Sequence, residues 1–343
     1  MRNETVDVSR GLGILLVVLG HNWIVTHDSG EVFRIIFSFH VPLFFFLSGI
    51  YLSPSVRIGT IAKRKASSLL KPYFFILFLV ALGEFFSARG LTVDNIFGIF
   101  FATGQSIYWE PMWFLPHLFL TTIFLCYILS FLKINKKRNY FLSGLVLLLG
   151  VFGIFILRYS EAISLGSLEV VAGRNIPLIG LPFSADLIFI SSAYMLLGYI
   201  FSEALKNFSF NFIYLTLAVL AFSLCHIFFD ETINLNFRLY GNPFVSTIQA
   251  IGGIYMVLCL STLLSKFLVL KNFLSYIGAG SLFVLIFHGI LQGKATSRLQ
   301  YYFPEYLYLD AVLGLIVAVA FSLLIWEVVK RVPFFSYFML EKK

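Results

Sequence analysis

Ten apolar stretches, most close to twenty residues long, run through this chain from one end to the other. They fall near residues 11–27, 34–52, 69–86, 113–132, 140–157, 187–201, 211–229, 245–265, 273–291 and 310–329. A helix needs about 20 mostly apolar residues to cross a bilayer core about 30 Å thick. Hydrocarbon tolerates only backbone whose hydrogen bonds close internally, which leaves helices for segments of this length. The expectation is an all-α, polytopic membrane helix bundle of about ten transmembrane helices, forming one domain over 1–343. The sixth stretch is short and is allowed to begin earlier, near Ile176. Ile96–Thr103 is apolar but too short to span, and reads as a re-entrant or interfacial piece.

Composition agrees with the pattern. Hydrophobic residues make up 59% of the 343 and charged residues 12%, against about 25% charged in a soluble domain. The 41 phenylalanines suit a lipid-facing surface. A net charge of +8 would raise nucleic acid as a partner, but the charge follows the membrane instead. Basic residues gather after the second stretch (Arg57, Lys63, Arg64, Lys65, Lys71), after the fourth (Lys133, Lys136, Lys137, Arg138) and at the C-terminus (Lys330, Arg331, Lys342, Lys343). Placing these on the inside puts both termini in the cytoplasm. Cys126, Cys225 and Cys259 lie within apolar stretches at no paired spacing, so they read as packing residues. No metal-ligand spacing appears, so no metal is expected. The N-terminus lacks a cleavable signal pattern, so the first helix is expected to stay in place.

Arg10, just before the first stretch, and His21 within it are separated by an unbroken apolar run. Eleven steps at 3.6 residues per turn make about three turns plus roughly 20°, so both side chains share one face about 16 Å apart. This reads as an anion-binding cation at the mouth of a membrane helix, with a titratable imidazole deeper on the same stripe. Asp7, one turn before Arg10, is positioned to pair with it.

Other ionisable groups inside hydrocarbon are functional candidates by default, because their burial is costly. His40 enters early in the second stretch, His288 lies late in the ninth, and Glu84 lies late in the third. All are expected at a depth similar to His21, although depth does not establish that they meet. His117 and His226 read as helix-to-helix hydrogen-bond partners, and His27 as a surface residue. Lys63, Arg64 and Lys65 read as marking topology or anionic lipid, with a substrate site as the other reading. Ser48-Gly49 offers a small surface for close helix approach. Trp109-Glu110-Pro111-Met112-Trp113-Phe114-Leu115-Pro116 reads as an aromatic belt or a sugar platform, with Glu110 and Trp113 as substrate contacts.

Taken in order along the chain, these pieces resemble the acyltransferase-3 family of membrane O-acyltransferases, in its fucose 4-O-acetylase-like branch. The resemblance rests on Arg10 with Gly20-His21-Asn22, Phe39-His40-Val41-Pro42 through Ser48-Gly49, and the basic stretch leading to Leu69-Leu70-Lys71-Pro72-Tyr73. It continues with Met112-Trp113-Phe114-Leu115-Pro116 and with Ile277-Gly278-Ala279-Gly280-Ser281 followed by His288. Ser67-Ser68 and Gly280 depart from the family pattern, which often has a basic residue and an asparagine there. The resemblance implies transfer of an acetyl group from acetyl-CoA, used as a substrate with no permanently bound cofactor, to a hydroxyl of a cell-surface glycan or its lipid-linked precursor. It implies a bacterial inner-membrane location. Arg10, with Arg64 or Lys65, is then expected to hold the CoA phosphates. His21 acts either as general base or as the group that accepts the acetyl. His40, His288 and Glu84 are further catalytic candidates, and Ser48 and Trp113 are hydrogen-bond donors beside the substrate. The competing reading is a transporter or glycan-lipid flippase, which the near absence of intramembrane cations disfavours.

Overall fold

The computed structural model describes residues 3–22, 30–87, 92–133, 139–162 and 180–341. His27, Lys136, Lys137, Arg138, the approach to the sixth stretch at Ile176, Lys342 and Lys343 lie outside them. Within them the chain is helical, with two two-residue strands, Ile233–Asn234 and Leu239–Tyr240. Seven helical stretches are long and apolar enough to cross a membrane, and a bent pair makes an eighth. A shorter apolar helix, Phe212–Phe228, and the first helix, Glu4–Gly20, have 17 residues each, or about 26 Å. The chain divides into two compact units.

The first unit comprises residues 1–47, 201–234 and 240–328. Its helices are α1 (Glu4–Gly20), α2 (Gly30–Phe37) and the start of α3 (His40–Gly49). The second unit supplies α4 to α9, so this one resumes at α10 (Phe212–Phe228) and α11 (Pro243–Leu264). It ends with α12 (Leu268–Ala279), α13 (Ser281–Tyr302) and most of α14 (Leu307–Arg331). The expected span 11–27 is shifted: Asn3 accepts the Val6 N–H and starts α1 at Glu4. Helix α1 then packs on α12 backbone to backbone. A Cβ on Gly11 would overlap the Leu274 carbonyl, and one on Gly278 would overlap the Asp7 carbonyl. Ile14, Val17 and Val18 of α1 join Ile277, Val284, Ala318, Val319 and Leu323 in one apolar core. On another side of α1, Ser9 donates to Thr5 O and shares a 2.8 Å hydrogen bond with Ser261 of α11.

The expected ninth span, 273–291, runs across a break. Helices α12 and α13 meet at 78°. Gly280 occupies the corner at φ −88°, ψ 4°, where a Cβ would press on Leu323 and Trp326. Trp326 packs 5.3 Å from the Tyr276 ring, whose hydroxyl donates to Glu327.

The second unit comprises residues 48–200, 235–239 and 329–343. Helix α4 (Ile58–Lys65) continues through a π-helical turn (Ala66–Leu70) into α5 (Lys71–Phe85). Then come α6 (Val93–Phe101), α7 (Phe114–Phe131), α8 (Asn139–Ala162), α9 (Ile188–Phe201) and the terminal α15 (Pro333–Met339). The short apolar piece at 96–103 is the end of α6 and its cap, Ala102, which takes the left-handed conformation at φ 61°. Gly49 lies against the Met195 carbonyl, where no side chain fits. This is the close approach that Ser48-Gly49 predicts. A buried bidentate ion pair, Arg238 to Asp186 at 2.9 and 3.1 Å, ties 235–239 to the turn before α9.

Candidate active site

The site is built where α1 ends. Gly20 lies against Ile36 and Phe37, where a Cβ would come within 3.0 and 3.1 Å of their side chains. His21 is the C-cap of α1, and its backbone N–H and ring Nδ1 both approach Val17 O, at 3.0 and 2.8 Å. A carbonyl only accepts, so Nδ1 carries the hydrogen and Nε2 carries the lone pair. The next residue, Asn22, is buried and donates from Nδ2 to Ala311 O of α14 at 3.0 Å. That bond anchors the end of α1.

Three histidines and one phenylalanine form a chain of ring contacts here. The His288 ring stands edge-on to His21 with centroids 5.2 Å apart. Phe37 lies 5.9 Å from the His21 ring and 4.5 Å, edge-on, from His40. His40 donates from Nδ1 to Ile36 O at 3.0 Å. His288 donates from Nδ1 to Val284 O and Leu285 O at 2.9 and 3.0 Å. All three imidazoles therefore share one tautomer, with Nε2 as the basic nitrogen. His40 and His288 are buried, whereas the His21 ring is exposed at the helix end. Two expectations change accordingly. His21 stands at a helix terminus, not within a longer helix, and Arg10 lies two turns inside α1 instead of at its mouth. Asn3 starts the helix early, and it stops at Gly20. The half-buried Arg10 sits beside Gly278 in the α1–α12 contact.

The remaining candidates belong to the second unit. Arg64 is exposed at the end of α4, 3.9 Å from Glu341, and Lys65 is half-buried beside it. Glu84 accepts from Asn95 Nδ2 at 2.6 Å and lines a cavity of about 170 Å³ with Gln105, Ser106 and Tyr108. Glu110 accepts from Asn236 Nδ2 at 2.6 Å. Trp113 is buried and stacks on His117, 5.6 Å between rings. His117 donates from Nδ1 to Phe183 O, and its Nε2 takes the Ser191 hydroxyl at 2.8 Å, the bridging role expected of it. His226, in the first unit, lies 3.1 Å from Gln249. Ser48 is half-buried in α3. Among the described residues no cluster of three His, Cys, Asp or Glu side chains could hold a metal ion.

Phe37 and Asn22 had no place among the expected site residues. Phe37 is one of 41 phenylalanines and carries no sequence mark. Asn22 does carry one, as an amide directly after the histidine at the end of an apolar run.

A family profile described as an acyltransferase domain matches residues 3–327. The chain belongs to the acyltransferase-3 family. The match covers nearly the whole chain and takes in Arg10, the three clustered histidines and the second-unit candidates. The protein is thus a multi-pass membrane acyltransferase. No curated protein and no solved structure matches the chain.

Proposed function

We propose that this acyltransferase moves an acetyl group from cytoplasmic acetyl-CoA to a hydroxyl of a cell-surface glycan or its lipid-linked precursor, in a bacterial inner membrane. The observation that carries the reading is the chain of ring contacts His288–His21–Phe37–His40, with Nε2 basic on each imidazole. Nε2 of His21, on the exposed ring, takes the proton of the attacking hydroxyl. The oxygen bonds to the acyl carbon, the carbon–sulfur bond breaks, and the leaving thiolate recovers the proton from the imidazolium. His288, edge-on to His21, packs against the ring on one side and fixes its plane. Arg10 lies on the same face of α1 about 16 Å away, where it holds the CoA phosphates.

The test is His21→Ala in membranes supplied with radiolabelled acetyl-CoA. Incorporation of label into glycan falls by about 10²-fold or more, the usual loss for a general base. Incorporation at the wild-type rate rules out the role. Arg10→Ala raises KM for acetyl-CoA and leaves the choice of acceptor unchanged. An altered acceptor range with unchanged donor KM removes Arg10 from the donor side.

A further inference from the structure

The second unit holds a cavity that the reaction above does not use. It is lined from the last turns of α5, from α6 and from the turn that follows α6, and its volume is about 170 Å³. A cavity of about 150 Å³ is large enough to take up a benzene ring, so there is room here for one six-membered ring. Half of the lining is apolar, with Leu77, Ala81 and Ile99 among it. The other half is polar and includes Glu84, Asn95, Gln105 and Tyr108.

The walls are fixed by contacts inside the unit. The buried Tyr73 hydroxyl donates to Ile99 O at 2.8 Å and ties α5 to α6. Gly98 of α6 lies on the Ser106 carbonyl, where no Cβ fits. Ser106 Oγ accepts the Thr103 N–H at 3.0 Å and bonds to Gly98 O at 3.1 Å. Gln105 donates from Nε2 to Asn236 O at 3.2 Å, and its buried Oε1 makes no hydrogen bond. Asn95 accepts the Thr92 hydroxyl and donates to Glu84 at 2.6 Å. A pocket held this way needs little ordering when a ligand enters.

Its place along the helix gives its side of the membrane. Lys65 precedes Glu84 by nineteen residues within the helical stretch Ile58–Phe85, or about 28 Å. With the basic cluster at Lys63, Arg64 and Lys65 on the inside, the cavity faces outward.

The lining also selects the ligand. A hydrocarbon chain would leave the carboxylate and both amides unpaired. An acidic group would meet Glu84, and no lysine or arginine lines the cavity to offset the repulsion. A sugar ring has C–H groups on its face for the apolar half. Its hydroxyls both donate and accept, which suits Glu84, Gln105 Oε1 and the Asn95 amide. The exposed Tyr108 adds an aromatic surface with a polar tip. We propose that this cavity is a recognition subsite for one non-acidic sugar ring of the acceptor glycan, and that Glu84 binds its hydroxyls instead of taking part in catalysis. The assignment rests on the transferase reading given above.

The test is saturation-transfer NMR on the full-length protein in nanodiscs. The probes are methyl fucoside, rhamnoside, galactoside and glucosaminide, with methyl glucuronide as the acidic control. Transfer to at least one of the first four is expected, with little to the glucuronide. Ala81→Leu fills the cavity and abolishes the signal. Glu84→Gln weakens it about tenfold, as exchange of a charged for a neutral hydrogen-bond acceptor does, while acetyl-CoA affinity stays unchanged. Glu84→Gln is isosteric and carries the test if the filled variant does not fold. His21→Ala keeps sugar binding. Full acetyl transfer by that variant would sink the transferase mechanism and leave this site standing. No transfer to any non-acidic glycoside, a signal unchanged in folded Ala81→Leu or in Glu84→Gln, equal transfer to the glucuronide, or displacement of the glycoside by an equal concentration of ethanolamine each overturns the proposal.

Discussion

Each histidine of the cluster uses its own helix turn to choose a tautomer. The Nδ1 hydrogen goes to a carbonyl three or four residues earlier, and Nε2 is left facing its neighbours. No acidic partner is needed to orient the ring. The cost falls on the end of α1, which has to be held still by something else, and Asn22 does this through Ala311 O. Asn22→Ala leaves that buried carbonyl without its amide donor. It is expected to lower stability by about 1–3 kcal/mol and to reduce turnover more than it changes KM for acetyl-CoA. Thermal unfolding and steady-state rates measured on the same preparation check both. His21, His40 and His288 were legible from sequence because ionisable residues stand out in apolar runs. Phe37 was not, since its importance lies only in which rings it touches.

Helices were the most legible feature, and their ends and bends the least. The apolar stretches near 113–132, 187–201, 211–229 and 245–265 match helices to within about two residues. The corner at Gly280 is invisible to hydropathy, because the residues on both sides remain apolar through it. What makes the corner is packing against Leu323 and Trp326, far along the chain in α14. The α1–α12 contact is of the same kind, depending on two glycines whose partner is backbone. Gly278→Ala forces the Asp7 carbonyl away and is expected to destabilise by about 1–3 kcal/mol, the range for overpacking. Gly293, in α13, has open space around it, so Gly293→Ala is neutral or stabilising by up to about 1 kcal/mol, from helix propensity. Melting temperatures of the two variants in one detergent separate packing from propensity.

At the scale of the whole chain, the family match spans both compact units, yet the chain does not visit them one after the other. Residues 235–239 belong by their contacts to the second unit although the segments on either side belong to the first. Arg238 secures that short visit, with its guanidinium bound to both Asp186 oxygens and to Asn236 O. Replacing it with methionine strands a buried carboxylate, which is expected to cost about 3–5 kcal/mol. The double change Arg238→Met with Asp186→Leu recovers much of this, and denaturant unfolding of the pair of variants measures the coupling. Hydropathy could not reveal this pair, because Arg238 lies between apolar stretches and reads as ordinary loop charge.

At the glycine contact between α1 and α12 the two backbones touch directly. With main chain against main chain, no side chain is left at the crossing to give way, so α1 behaves as a ruler clamped near its middle. Lengthening it by one residue beyond the clamp would swing the imidazole about 100° around the axis and advance it 1.5 Å. The interval from guanidinium to imidazole is then a fixed dimension, and in the proposed reaction a long donor molecule is measured against it.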